Sequence, residues 1–147
     1  MSYEDLARSH VKELLRKAFR WDQVVVDEDG DVPIACGTAM VYASVVRGGR
    51  LVRVWSRAVS GVKPTKSVLR EINDANSAAV VTRVYAEHQA VWVEGHFPID
   101  GLSPRDLKHL CKEVGDLADH LGPMLAAVHG GTVTFPEAAD LPVEGES

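Results

Sequence analysis

The sequence predicts an α+β domain with the element order α-β-β-β-α-β-β-α: a five-stranded, mostly antiparallel sheet with three helices on one face. Three observations predict it. Apolar residues recur at helical spacing near residues 3–19, 65–76 and 103–130. Between these stretches lie runs rich in Val, Thr, Trp and Tyr. Short turn signals at Asp29-Gly30, Gly48-Gly49 and His88-Gln89 separate the runs and favour hairpins. Amphipathic helices beside a half-apolar sheet pack as two layers.

The first helix carries Leu6, Ala7, Val11, Leu14, Leu15, Ala18 and Phe19 on one face. Ser2 caps it, and Glu4 and Asp5 suit the positive end of its dipole. The β-branched run Val24-Val25-Val26 predicts a strand over about 22–28, turning at Asp29-Gly30 into a second strand over about 32–46. Gly37 inside that second run reads as a bulge. Gly48-Gly49 leads into a third strand at 50–59. A second helix starts at Thr65 or Ser67 and stops at Asn73-Asp74-Ala75-Asn76, where side chains compete for backbone hydrogen bonds. Strands at 78–87 and 90–97 follow. Ser103-Pro104-Arg105-Asp106 is a strong helix start, with a Ser cap and Pro at the first helical position. The apolar seam from Leu107 to Val128 runs past Pro123, which predicts a kink rather than a stop. Residues 1–132 form one domain, and 133–147 are expected to be an acidic, mobile tail.

The 147 residues carry 16 basic and 21 acidic side chains, a net charge of −5. The total argues against generic nucleic-acid binding. Four of the acids (Glu137, Asp140, Glu144, Glu146) lie in the tail, and setting them aside leaves 17 acids against 16 bases. From Val32 to Arg70 there are seven bases and no acid. No apolar run approaches the roughly 20 residues of a membrane span, and no secretory signal is evident. The expectation is a cytoplasmic protein with neither membrane nor nucleic-acid partners.

Strand alternation divides the sheet residues between two faces. Val52, Val54, Ser56, Val84, Val91 and Val93 fit beneath the helices. Arg53, Trp55, Arg57, Arg83, Tyr85, Trp92, Glu94 and His96 fall on the open face, with Tyr42 joining from the second strand. Val59 falls on that side by the same count. Trp, Tyr and Arg combine large apolar area with a polar handle and are enriched where proteins bind one another. These nine residues are the candidate partner or dimer face. The bland reading is a solvated face on which Arg–aromatic pairs stabilise the sheet.

Catalytic signatures are absent: there is no phosphate-binding Gly-rich loop, no HExxH and no GxSxG. His109, Glu113, Asp116 and His120 recur at helical spacing, but such sets are common on polar helix faces, so no metal is expected. Cys36 and Cys111 read as structural thiols. The acidic run Asp27-Glu28-Asp29-Gly30-Asp31 lacks a calcium loop's terminal bidentate Glu. No cofactor and no enzymatic role are expected.

The run Leu69-Arg70-Glu71-Ile72-Asn73-Asp74-Ala75-Asn76, the two strands after it, Leu102-Ser103-Pro104 opening a long helix, and Asp116-Leu117-Ala118-Asp119-His120-Leu121 resemble the YbjN-type family. That family is grouped with the class I chaperones of type III secretion. The resemblance implies a small, usually dimeric α+β domain that binds peptide segments of other proteins without enzymatic activity. Some members are described as sensory transduction regulators. The expectation is therefore a chaperone-like, homodimeric module with a protein or peptide client. It would act through the open face or by adding a strand to a sheet edge. The alternative is a ligand-sensing or regulatory domain with a pocket between the last helix and the sheet.

Overall fold

A computed structural model describes residues 2–140. The chain forms α1 (Tyr3–Phe19), β1 (Val32–Cys36), β2 (Ala39–Val46), β3 (Leu51–Ser60), α2 (Lys66–Ala78), β4 (Arg83–Glu87), β5 (Ala90–Pro98) and α3 (Pro104–His129). The sheet order is β1-β2-β3-β5-β4, with every neighbouring pair antiparallel. The order α-β-β-β-α-β-β-α and the α+β class are as the sequence predicts.

The helix ends follow their local chemistry. Ser2 and Asp5 form a reciprocal capping box on α1, and Ser103 Oγ accepts from the Asp106 amide at the start of α3. The long helix continues through Pro123 to a left-handed cap at Gly130. Its seam, Leu107, Leu110, Val114, Ala118, Leu121 and Leu125, is buried against the sheet together with Val41, Val52, Val54, Val91 and Val93. α1 adds Val11, Leu14 and Leu15 beside α3, and α2 adds Val68 and Ile72 along β4.

Two glycines let α3 lie directly on the sheet. A Cβ at Gly115 would meet Cys36 Sγ, and one at Gly122 would meet the Ala58 carbonyl oxygen. At the end of β1, Thr38 donates from its amide and its hydroxyl to Asp119 Oδ1, both at 2.7 Å. This pins the β1–β2 turn to the third turn of α3 before its end.

Several sequence expectations are corrected. Residues 22–28 are not a strand. Val25 is 70% exposed, and the Asp27 side chain accepts from the Asp29 and Asp31 amides, so the turn at Asp29-Gly30 closes on itself without a ladder. The expected strand 32–46 is instead the hairpin β1–β2. Gly37, at φ 56°, is the first residue of its two-residue turn rather than a bulge. Five strands remain because one is lost and another divides. α2 runs through Asn73–Asn76 to Ala78. Asn76 does not break the helix because its amide reaches across to the Val84 N–H and C=O. β4 consequently starts at Arg83 rather than 78. A register shift between Arg57 and Val59 turns Val59 into the core, not onto the open face.

After α3 the chain is tied to the body at two points: Thr132 bridges to Ser60, and the Phe135 amide donates to the Thr38 carbonyl. The rest of the expected tail, 141–147, is outside the described residues.

Gly122→Ala places a methyl against a strand carbonyl that cannot swing aside. We expect a loss of about 1–3 kcal/mol or more in urea denaturation. An unchanged midpoint would contradict the close approach of α3 to β3.

Candidate functional site on the open sheet face

All nine face residues predicted from alternation lie on the side of the sheet away from the helices, in three adjacent rows. Tyr42, Trp55, Glu94 and Arg83 form the central row across β2, β3, β5 and β4. Ser44, Arg53 and His96 form the row to one side, and Arg57, Trp92 and Tyr85 the row to the other. Period-two alternation and antiparallel register together are sufficient to assemble this grid.

Glu94 is its centre. The carboxylate is only 2% exposed, although it points away from the helical core. Arg53 Nε donates to Oε2 at 2.7 Å, Arg83 Nε donates to Oε1 at 2.5 Å, and the Tyr85 hydroxyl donates to Oε2 at 3.3 Å. Arg53 also reaches the Tyr85 oxygen. Burial opposes ionisation of Glu94, but the hydrogen bonds and charges of Arg53 and Arg83 outweigh it and hold the carboxyl below its ordinary range. A charge this deep is stable only because both oxygens are paired.

The aromatic rings surround this cluster. Tyr42 stacks on Trp55 with centroids 4.5 Å apart, and Trp55 meets Trp92 at 6.0 Å in a tilted arrangement. The Arg53 guanidinium lies 5.1 Å from the Trp55 ring, and that of Arg83 lies 5.3 Å from Tyr85. Trp55 Nε1 donates to Ser44 Oγ and Trp92 Nε1 to the Glu87 carbonyl. The rings are half-buried by one another, whereas Arg57, Arg83 and His96 project into solvent. Between Met40, Tyr42, Trp55, Arg57 and Trp92 the surface dips into a hollow of about 240 Å³, bordered by Thr134. Met40 and Thr134 were not legible as face residues. Met40 sits just past a turn that the sequence did not resolve, and Thr134 arrives from beyond α3.

The other candidate chemistries have plain structural settings. Burial pushes the Cys36 thiol up to about 11 and the Cys111 thiol to about 12, so neither is a thiolate at neutral pH. His109 pairs with Glu113 at 3.2 Å. Among the described residues the one set of carboxylates drawn together is Asp27, Asp29 and Asp31, at a turn that Asp27 itself organises. The helix set His109, Glu113, Asp116 and His120 does not converge.

The family model described as "T3SS (YopN, CesT) and YbjN peptide-binding chaperone 1", or TY-Chap1, matches residues 5–137. The chain belongs to this family. Solved structures share the fold. The Yersinia pestis type III secretion chaperone SycH, in complex with a stable fragment of YscM2, is 17% identical with a TM-score of 0.60, covering 78% of this chain and 98% of that one. A chain of the HopA1–SchA chaperone–effector complex is 11% identical with a TM-score of 0.63, covering 80% and 96%. A chain of the ExsC–ExsE complex is 11% identical with a TM-score of 0.62, covering 85% and 97%. No curated protein sequence matches the chain significantly. No helix among the described residues is long and apolar enough to cross a membrane.

The charges on the TY-Chap1 sheet face set an acid response. Glu94 is depressed, so its contribution to stability is complete above the ordinary carboxyl value of 4.5 and is lost as pH falls through its folded value. His96, although exposed overall, is also depressed, first by the partial desolvation of its ring and then by neighbouring Arg53, Arg83 and Arg47 against the pull of Glu94. Its proton favours the unfolded chain, so stability also falls as pH drops below 6.5. Urea midpoints from pH 8 to pH 3 should show His96→Asn flattening the upper part of this decline and Glu94→Gln the lower. At pH 7, Glu94→Gln should cost about 1–3 kcal/mol, because two arginines lose a charged acceptor. Profiles parallel to wild type would contradict the cluster.

Proposed function

We propose that the chain is a non-enzymatic, cytoplasmic binding protein that acts as a homodimer and captures an extended segment of a client protein. The observation that carries this reading is the continuous Trp–Tyr–Arg grid on a sheet face that none of α1, α2 and α3 covers. Tyr42, Arg53, Trp55, Arg57, Arg83, Tyr85, Trp92, Glu94 and His96 are its contact surface. Rings that offer area while their N–H groups are already paired desolvate cheaply against a partner. Fixed arginine positions, held by Glu94, supply direction and charge selectivity. Among the described residues no strand lies beside the outer edges of β1 and β4, so a client backbone could extend the sheet there. The family description, and the SycH–YscM2 and HopA1–SchA complexes among the fold's neighbours, support a polypeptide as ligand.

A ligand-sensing role has one supporting observation, a recess of about 620 Å³ beside α3. It opens between α3 and α2, while the sheet-facing side of α3 is closed by its buried seam.

Trp55→Ser/Trp92→Ser should retain the helical circular dichroism of wild type while losing self-association in sedimentation velocity or capture of a permanently unfolded polypeptide. Unchanged association and capture would remove the sheet face as the binding surface.

A further inference from the structure

The recess between α2 and α3 has a different chemistry from the sheet face. On α3, Glu113, Asp116, Leu117, His120, Leu121 and Met124 follow helical spacing and form one stripe. Opposite them on α2 stand Glu71, Asp74, Ala75 and Ala78. The alanines are what keep the groove open, because their short side chains cannot fill the gap to α3. Leu117 and Met124, which belong to the apolar seam by spacing, are only half-buried and form the floor with Leu121. Val80, 92% exposed, extends the apolar strip past the end of α2.

Four carboxylates rim this strip, two on each helix, and no Lys or Arg among the described residues lines it. None of the four pairs with a Lys or Arg side chain among the described residues. Glu113 has only His109. Like charges gathered over an apolar floor leave a negative potential that a cationic ligand relieves. A second copy of the chain fits poorly, because a two-fold contact would set the same acids against themselves. A small ligand would leave much of the open strip uncovered.

We propose that the α2–α3 groove binds a cationic amphipathic segment of the client. Leu-type side chains on one face of the segment lie on Leu117, Leu121 and Met124. Its flanking Lys or Arg residues pair with Glu71, Asp74, Glu113 and Asp116. This rests on the polypeptide-binding reading above and adds a second contact surface, one that selects client charge.

The test uses a fluorescent peptide of about 15 residues, Leu and Lys at amphipathic helical spacing, and its twin with Glu for Lys. Fluorescence anisotropy with the full chain should show the Lys peptide binding at least about tenfold tighter than the Glu peptide. Glu71→Gln/Asp74→Asn/Glu113→Gln/Asp116→Asn should weaken the Lys peptide by about tenfold or more. His120→Lys, a single exposed change at the rim, should weaken it by about threefold, and covers the case in which the fourfold variant does not fold. A matched variant with the same net charge, Asp22→Asn/Glu28→Gln/Asp100→Asn/Glu137→Gln, should stay within about twofold of wild type. Trp55→Ser/Trp92→Ser should also stay within about twofold, which separates this site from the sheet face. Equal weakening by the matched variant would reduce the effect to overall charge and overturn the proposal. So would loss of binding in the Trp variant alone, or a dimer that becomes monomeric only when the groove carboxylates are neutralised, since a second copy would then be the occupant.

Discussion

A carboxylate that is buried on the outside of a sheet is the constraint around which this fold's exposed half is organised. Glu94 points away from the helices, yet it is almost fully covered. Among the described residues no second layer does the covering, and Glu94 is held by two arginines and Tyr85. Because a buried charge must be paired, Arg53 and Arg83 are fixed, and with them the rings over which they lie. The face is thereby a preorganised surface rather than a set of independent side chains, and less ordering entropy remains to be lost when a partner arrives.

The opposite face makes this possible. α3 is long, apolar along one stripe, and brought close by Gly115 and Gly122, so one helix supplies most of the layer above β1, β2, β3 and β5. Thr38 and Asp119 fix its angle to the first hairpin. With the core satisfied on that side, the other side of the sheet has no packing obligation. That leaves its residues free to serve the recognition role proposed above for a member of a peptide-binding chaperone family.

Much of this was legible in the sequence, and the reasons differ by element. Caps and apolar seams define helices because their chemistry is local: Ser2 with Asp5, Ser103 with Pro104. Alternation puts the nine residues on one side of the sheet because the period of a strand is two, and it fails at Val59, where the register shifts. The failures came where a distant partner decides. Val24-Val25-Val26 has strand chemistry but no neighbouring strand to pair with. Gly37 is needed equally by a bulge and by a turn, and Asp119, far along the chain, fixes the turn. Asn76 reads as a helix breaker until Val84 is beside it. The depth of Glu94 depends on arginines from two other strands, and the α2–α3 groove on how far apart two helices lie. Neither distance is encoded in a local pattern.

The central claim is that the Trp–Tyr–Arg face is where a polypeptide partner binds. Hydroxyl-radical footprinting of the three tryptophans addresses it directly, with reduced, carboxymethylated α-lactalbumin as a permanently unfolded client. Trp21 stacks on Phe19 at the end of α1 and serves as the internal reference. The account predicts that Trp55 and Trp92 lose reactivity when the client is bound while Trp21 does not change. Bound client with Trp55 and Trp92 as reactive as in the free protein would contradict it.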